Sequence, residues 1–117
     1  MAKSNYDCGI GPAFDVVGGK WKAQILWELA RRPLRFGALK RCVSGATEKM
    51  LVQQLRELER DGLITRTVLG GVPPRVEYAL TKWGVGLNAA LAPLADWGES
   101  FARATGRYPA RAQTEAT

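Results

Sequence analysis

Apolar residues recur along most of this chain every three or four positions, the spacing that lines one side of an α-helix. Pro12 suits the first turn of a short helix reaching Val17, and Gly18-Gly19 stop it. Trp21, Ile25, Leu26 and Leu29 share one face, which predicts an amphipathic helix over 21–32 ended by Pro33. Arg35–Cys42 reads as a second short helix, with Phe36, Leu39 and Val43 inward and Cys42 as a small core residue. Ser44-Gly45-Ala46 form a turn. Thr47 is then the N-cap of a helix running to about Asp61, with Leu51, Leu55 and Leu58 on its apolar side and Gly62 at the residue after its end.

Past Gly62 the period changes from 3.6 to 2. Ile64, Arg66 and Val68 alternate with Thr65, Thr67 and Leu69, as β-branched residues do in a strand. Gly70-Gly71-Val72-Pro73-Pro74 is a turn cluster, and Arg75–Leu80 reads as the returning strand of a hairpin whose tip is too long for a two-residue turn. Thr81 caps a last helix carrying Leu87, Leu91, Leu94, Trp97 and Phe101, and Pro93 predicts a kink or break near residues 89–92. From Gly106 the residues are small, charged or turn-forming. The expectation is one domain over 8–105 and a flexible tail over 106–117. Its class is mainly α with a small β-hairpin, and the order helix, turn, helix, hairpin is that of a winged helix-turn-helix.

Composition narrows the chemistry. The chain has 117 residues, 46% apolar and 24% charged, enough for one core without disulfide or metal. It contains no histidine and two cysteines, which removes imidazole bases, Ser-His-Asp triads, and zinc sites built on histidine or on four thiolates of one chain. No metal, cofactor or catalytic residue is therefore expected, and the chain does not read as an enzyme. Gly84–Ala89 formally fits G-x-G-x-x-A but lies in a helix with no βαβ unit, and Gly18-Gly19-Lys20 lacks the rest of a phosphate loop. The first seven residues do not make a signal peptide and no stretch is long and apolar enough for a membrane span, so a cytoplasmic location with reduced cysteines is expected.

The net charge of +6 is not spread evenly. Between Lys20 and Lys82 stand 13 Lys and Arg against 6 Asp and Glu, whereas the remainder is close to neutral. This basic stretch coincides with the helix-turn-helix and hairpin. On a wheel of helix 47–61, Lys49, Gln53, Arg56 and Arg60 fall opposite the leucines. Arg and Lys reach guanine or phosphate and Gln pairs bidentately with adenine, so this face suits the major groove of duplex DNA. Base contact from the helix N-terminal half favours Thr47, Lys49, Val52, Gln53 and Arg56, with Val52 open also to partial burial. Glu57, Glu59 and Asp61 make the far end unfriendly to phosphate. Arg66 and Arg75 flank the hairpin tip, where a wing meets the backbone; Arg66 could instead pair with Glu77 across the strands.

The run from Gly18 to Gly84 resembles the HxlR-type winged helix-turn-helix transcriptional regulators of bacteria and archaea. The matching pieces are Gly19-Lys20-Trp21, Arg35-Phe36, Leu55–Glu59, Asp61-Gly62-Leu63, Val72–Tyr78 and Leu80-Thr81. The resemblance implies a cytoplasmic homodimer, joined through N- and C-terminal helices, that binds paired half-sites, with Arg35 approaching phosphate. An apolar stripe of Leu91, Leu94, Trp97 and Phe101, extending past what a small core needs, agrees with a dimer interface on the last helix. Cys8 matches the N-terminal cysteine that several such regulators use to sense quinones, aldehydes or oxidants, although Gly9-Ile10-Gly11 follows it where the family often has Cys-Pro, and an inert thiol is the alternative. The residues name no small-molecule effector, but leave room for one. The rival function is a winged helix used for protein or RNA contact, which would need aromatics on the exposed face of helix 47–61.

Overall fold

The computed structural model describes residues 8–107. Its elements are α1 (Ile10–Val17), α2 (Lys22–Leu29), β1 (Leu34–Arg35), α3 (Phe36–Cys42), α4 (Glu48–Arg60), β2 (Ile64–Leu69), β3 (Arg75–Leu80) and α5 (Lys82–Thr105). The winged helix-turn-helix order is therefore present, with one strand more than the hydrophobic pattern predicts. Residues 34 and 35 pair antiparallel with Tyr78 and Glu77, giving a sheet of order β1-β3-β2. Two residues are too few to display a period.

The leucine spacing of α4 decides where the core lies. Leu51, Leu55 and Leu58 are fully buried, in one cluster with Ile25, Leu26 and Leu29 of α2, Leu39 of α3, Leu63, and Ile64 and Tyr78 from the inner face of the sheet. Thr47 Oγ1 accepts from Met50 N at 3.1 Å, the N-cap bond its side chain predicts. At the other end Leu63 N donates to Leu58 O and Gly62 N to Glu59 O, both at 3.0 Å. This pair of bonds requires positive φ at Gly62, which has +80°. The helix therefore ends where the strand must begin.

The start of α5 is fastened to that corner. Thr81 Oγ1 donates to Gly62 O at 2.6 Å and accepts from Gly84 N at 3.2 Å, and Thr81 N donates to Leu63 O at 3.0 Å. A side chain at Gly84 would run into the Leu63 carbonyl, so the glycine lets helix and strand close up.

Three expectations need correcting. The helix expected over 21–32 is shorter, Lys22–Leu29, because Trp21 serves as its N-cap and the chain turns at Ala30 ahead of Pro33. Of the kink or break expected at Pro93, the break is absent: α5 runs through the proline as one helix. Pro93 and Ala89 are both exposed, so the carbonyl left without a donor faces water. Cys42 is exposed rather than in the core; Leu39 and Val43 take the inward positions of α3. The tail expected over 106–117 begins at Gly106, which ends α5 with φ +63°, and from residue 108 lies outside the described residues.

Candidate nucleic-acid interface

The buried leucines of α4 leave its opposite side outward. Lys49, Gln53, Arg56 and Arg60 are exposed and Val52 is half-buried at the flank. Glu48, Lys49, Val52, Gln53, Arg56 and Glu57 line one shallow depression open to solvent. Among the described residues, Lys49 and Arg56 enter no ion pair. Arg60 does, with Asp61 at 3.4 Å. Charge on the N-terminal half of the face is thus available for a ligand, while charge at its end is partly met within the chain. Thr47 keeps its hydroxyl proton for donation, since its oxygen is engaged as a cap acceptor.

Glu57 is not the free carboxylate that the wheel suggests. Its Oε1 lies 2.6 Å from Lys22 Nζ, and its Oε2 accepts from Gln53 Nε2 at 3.3 Å. The Lys22 ammonium, and after it the Gln53 amide, holds the Glu57 carboxyl below the usual carboxylate range. Lys22 itself is only 4% exposed. Helical spacing already hints at this pair: Lys22 stands one turn before Ile25 and Leu26 and two turns before Leu29, on the buried side of α2. A second polar clasp joins the same helices, as Trp21 N donates to Gln54 Oε1 at 3.3 Å. The Gln54 side chain lies where a side chain at Gly19 would be, so this approach needs the glycine.

Arg35 is exposed at the N-cap of α3, where β1 ends. In the hairpin Arg66 is exposed and stands opposite Tyr78, whereas Glu77 stands opposite Thr67 on β2 and Arg35 on β1. The Arg66–Glu77 pairing is therefore excluded by register: adjacent positions point to opposite faces. Arg75 Nε donates to Gly70 O at 3.2 Å across the base of the tip. Val72 at that tip is fully exposed.

Away from this face, Cys8 is exposed two residues ahead of α1. Burial first, and the Glu28 carboxylate after it, push the Cys42 thiol above its ordinary value. On α5, Leu94 and Trp97 are 53% and 61% exposed, and Trp97 stacks on Phe101 with ring centroids 5.0 Å apart. Leu91 packs partly against the core, so it belongs to the monomer as much as to the outward stripe. Ile10 and Phe14 of α1 are likewise exposed, and α1 contains no buried residue.

Residues 16–105 match the family model described as HxlR-like helix-turn-helix. The HTH-type transcriptional regulator YtcD of Bacillus subtilis (strain 168) is 46% identical over 98 residues, covering 84% of this chain and 78% of that protein. Among solved structures, the redox regulator HypR in its reduced form superposes with a TM-score of 0.79 at 38% identity, covering 86% of this chain and 100% of that one. The reduced form of the transcriptional regulator YodB from B. subtilis gives a TM-score of 0.71 at 30% identity, covering 83% and 95%.

Proposed function

The chain belongs to the HxlR-like helix-turn-helix family, whose members are transcriptional regulators, and from that premise we propose that it binds duplex DNA sequence-specifically as a cytoplasmic homodimer. The observation that carries this reading is the exposed face of α4. Lys49, Gln53 and Arg56 project from a helix whose other side is locked in the core, so their positions are set before DNA arrives. Thr47 and Val52 border the same face. Arg35, Arg66 and Arg75 supply phosphate contacts beside it, positioning the helix while the α4 side chains choose the sequence. α4 has no aromatic residue, which disfavours base stacking and hence the RNA-binding alternative.

The dimer is supported by outward Leu94 and Trp97, the Phe101 ring stacked on Trp97, and exposed Ile10 and Phe14 on α1. A two-fold pair of α4 helices in successive major grooves calls for an inverted repeat with half-site centres about 34 Å apart. Response to electrophiles or oxidants through Cys8 is supported by its exposure and by the similarity to HypR, a redox regulator. Modification beside α1 would add bulk next to the dimer face and shift the spacing of the two reading helices. Among the described residues no helix is long and apolar enough to cross a membrane.

The test is selection of bound sequences from random duplex DNA, with and without diamide. Wild-type protein should enrich an inverted repeat, and Arg56→Ala should lose about 1–3 kcal/mol of discrimination at particular base pairs. Cys8→Ser should bind as wild type and ignore diamide, and Cys42→Ser should still respond. Unchanged preference in Arg56→Ala would remove α4 as the reading helix; diamide-insensitive wild type would remove Cys8 as the switch.

A further inference from the structure

Resting on the reading of α4 as the DNA-reading helix, we propose that Lys22, buried away from the DNA-facing surface, fixes which way round the Gln53 amide is presented and so sets the base preferred there. Lys22 is a positioning residue in this scheme, acting through Glu57. Its ammonium is held at Glu57 Oε1, and the second oxygen of that carboxylate accepts from Gln53 Nε2. A carboxylate with a buried lysine against it stays ionised and can only accept. The Gln53 NH2 group must therefore face Glu57, which turns the Gln53 carbonyl and the second N–H away from it, toward an approaching base edge.

Orientation matters because adenine is read by one acceptor and one donor in fixed order. A glutamine free to turn its terminal amide offers either order and discriminates poorly. The relay from Lys22 removes that freedom at a small cost in entropy, since the side chain is ordered before binding. The helix itself does not depend on the lysine. Leu51, Leu55 and Leu58 anchor α4 in the core, and Gln54 holds the start of α2 separately. Loss of the ammonium therefore acts on Glu57 and Gln53 rather than on where α4 lies.

The experiment compares selected sequences for wild type, Lys22→Met, Lys22→Arg and Glu57→Gln, with melting followed by circular dichroism for each. Lys22→Met retains the bulk of the stem and leaves Glu57, 27% exposed, free to turn to water. Glu57→Gln keeps a carbonyl for Lys22 but can turn an amide donor toward Gln53. Both should lose preference by about 5- to 10-fold at the base pair that Gln53→Ala also relaxes, and keep preference where Arg56 reads. Lys22→Arg should restore most of it, and Lys22→Met added to Gln53→Ala should change nothing further at that pair. Should Lys22→Met melt below the assay temperature, Glu57→Gln decides. A folded variant with wild-type preference at that pair overturns the inference alone. A wild type that selects no sequence overturns the DNA-binding reading, and the inference with it.

Discussion

Arg75 spends one of its guanidinium nitrogens on its own chain. The Nε bond to Gly70 O braces the wing at its base, and among the described residues the terminal nitrogens take no further hydrogen bond, which leaves them to meet phosphate. A contact of this kind carries affinity without sequence information. Arg75→Ala should accordingly weaken binding to all duplexes alike and flatten the dependence of log K on log salt by about one. Titration of one specific and one unrelated duplex over a range of salt concentrations checks this; a loss confined to the specific duplex would make Arg75 a base reader. Burial and Glu28 disfavour the Cys42 thiolate, the reactive form, so the second thiol is poorly suited to sensing although its residue is exposed.

Between elements, two side-chain clasps tie α2 to α4, and one of them is titratable. Glu57 has its carboxyl held below the usual range in the fold, chiefly by Lys22. Relative to the unfolded chain the native state therefore favours the ionised form. That contribution is complete above the ordinary carboxylate value and is lost as pH falls from about 4.5 through the lower folded value. Urea unfolding at pH 7, 5, 4 and 3 should show wild type losing stability across this window more steeply than Lys22→Met. Parallel curves would mean that the lysine contributes no differential binding of the proton. The other end of α4 depends on conformation rather than charge, because the bonds from Gly62 and Leu63 that stop the helix require the left-handed backbone of Gly62.

At the scale of the whole molecule, the fully buried core is shared by α2, α3, α4 and the sheet, and the two terminal helices only cover it with partly buried side chains, Val16 and Val17 from α1 and Leu87 and Leu91 from α5. α1 has no buried residue and the far half of α5 leaves Leu94 and Trp97 outward. Apolar side chains left exposed on two elements, beyond those that pack on the core, are what a subunit interface requires. Sedimentation should give a dimer at micromolar concentration. Trp97→Ala combined with Phe101→Ala should weaken self-association and DNA binding in parallel, because a monomer forfeits the second set of phosphate contacts. A stable monomer with full operator affinity would refute the dimer.

Periodicity alone determined the helices of the reading motif and the hairpin, because each buries a face whose residues lie close in sequence. Leu51, Leu55 and Leu58 both announce α4 and fix which of its side chains face out, so Lys49, Gln53 and Arg56 were legible before any fold was known. Thr47 and Gly62 marked its ends for equally local reasons, a side-chain oxygen at the start and a positive φ at the finish. Tertiary structure decided whatever depends on pairing between distant residues. The strand at Leu34-Arg35 exists only because β3 has a free edge to bond it, and Arg66 is kept from Glu77 by a register no single strand contains. Cys42 is outward because Leu39 and Val43 already fill the side of α3 that faces the core. The Lys22–Glu57–Gln53 relay joins residues of two helices that are far apart in sequence. A buried charge and its partner can be matched only once the chain has brought those helices together.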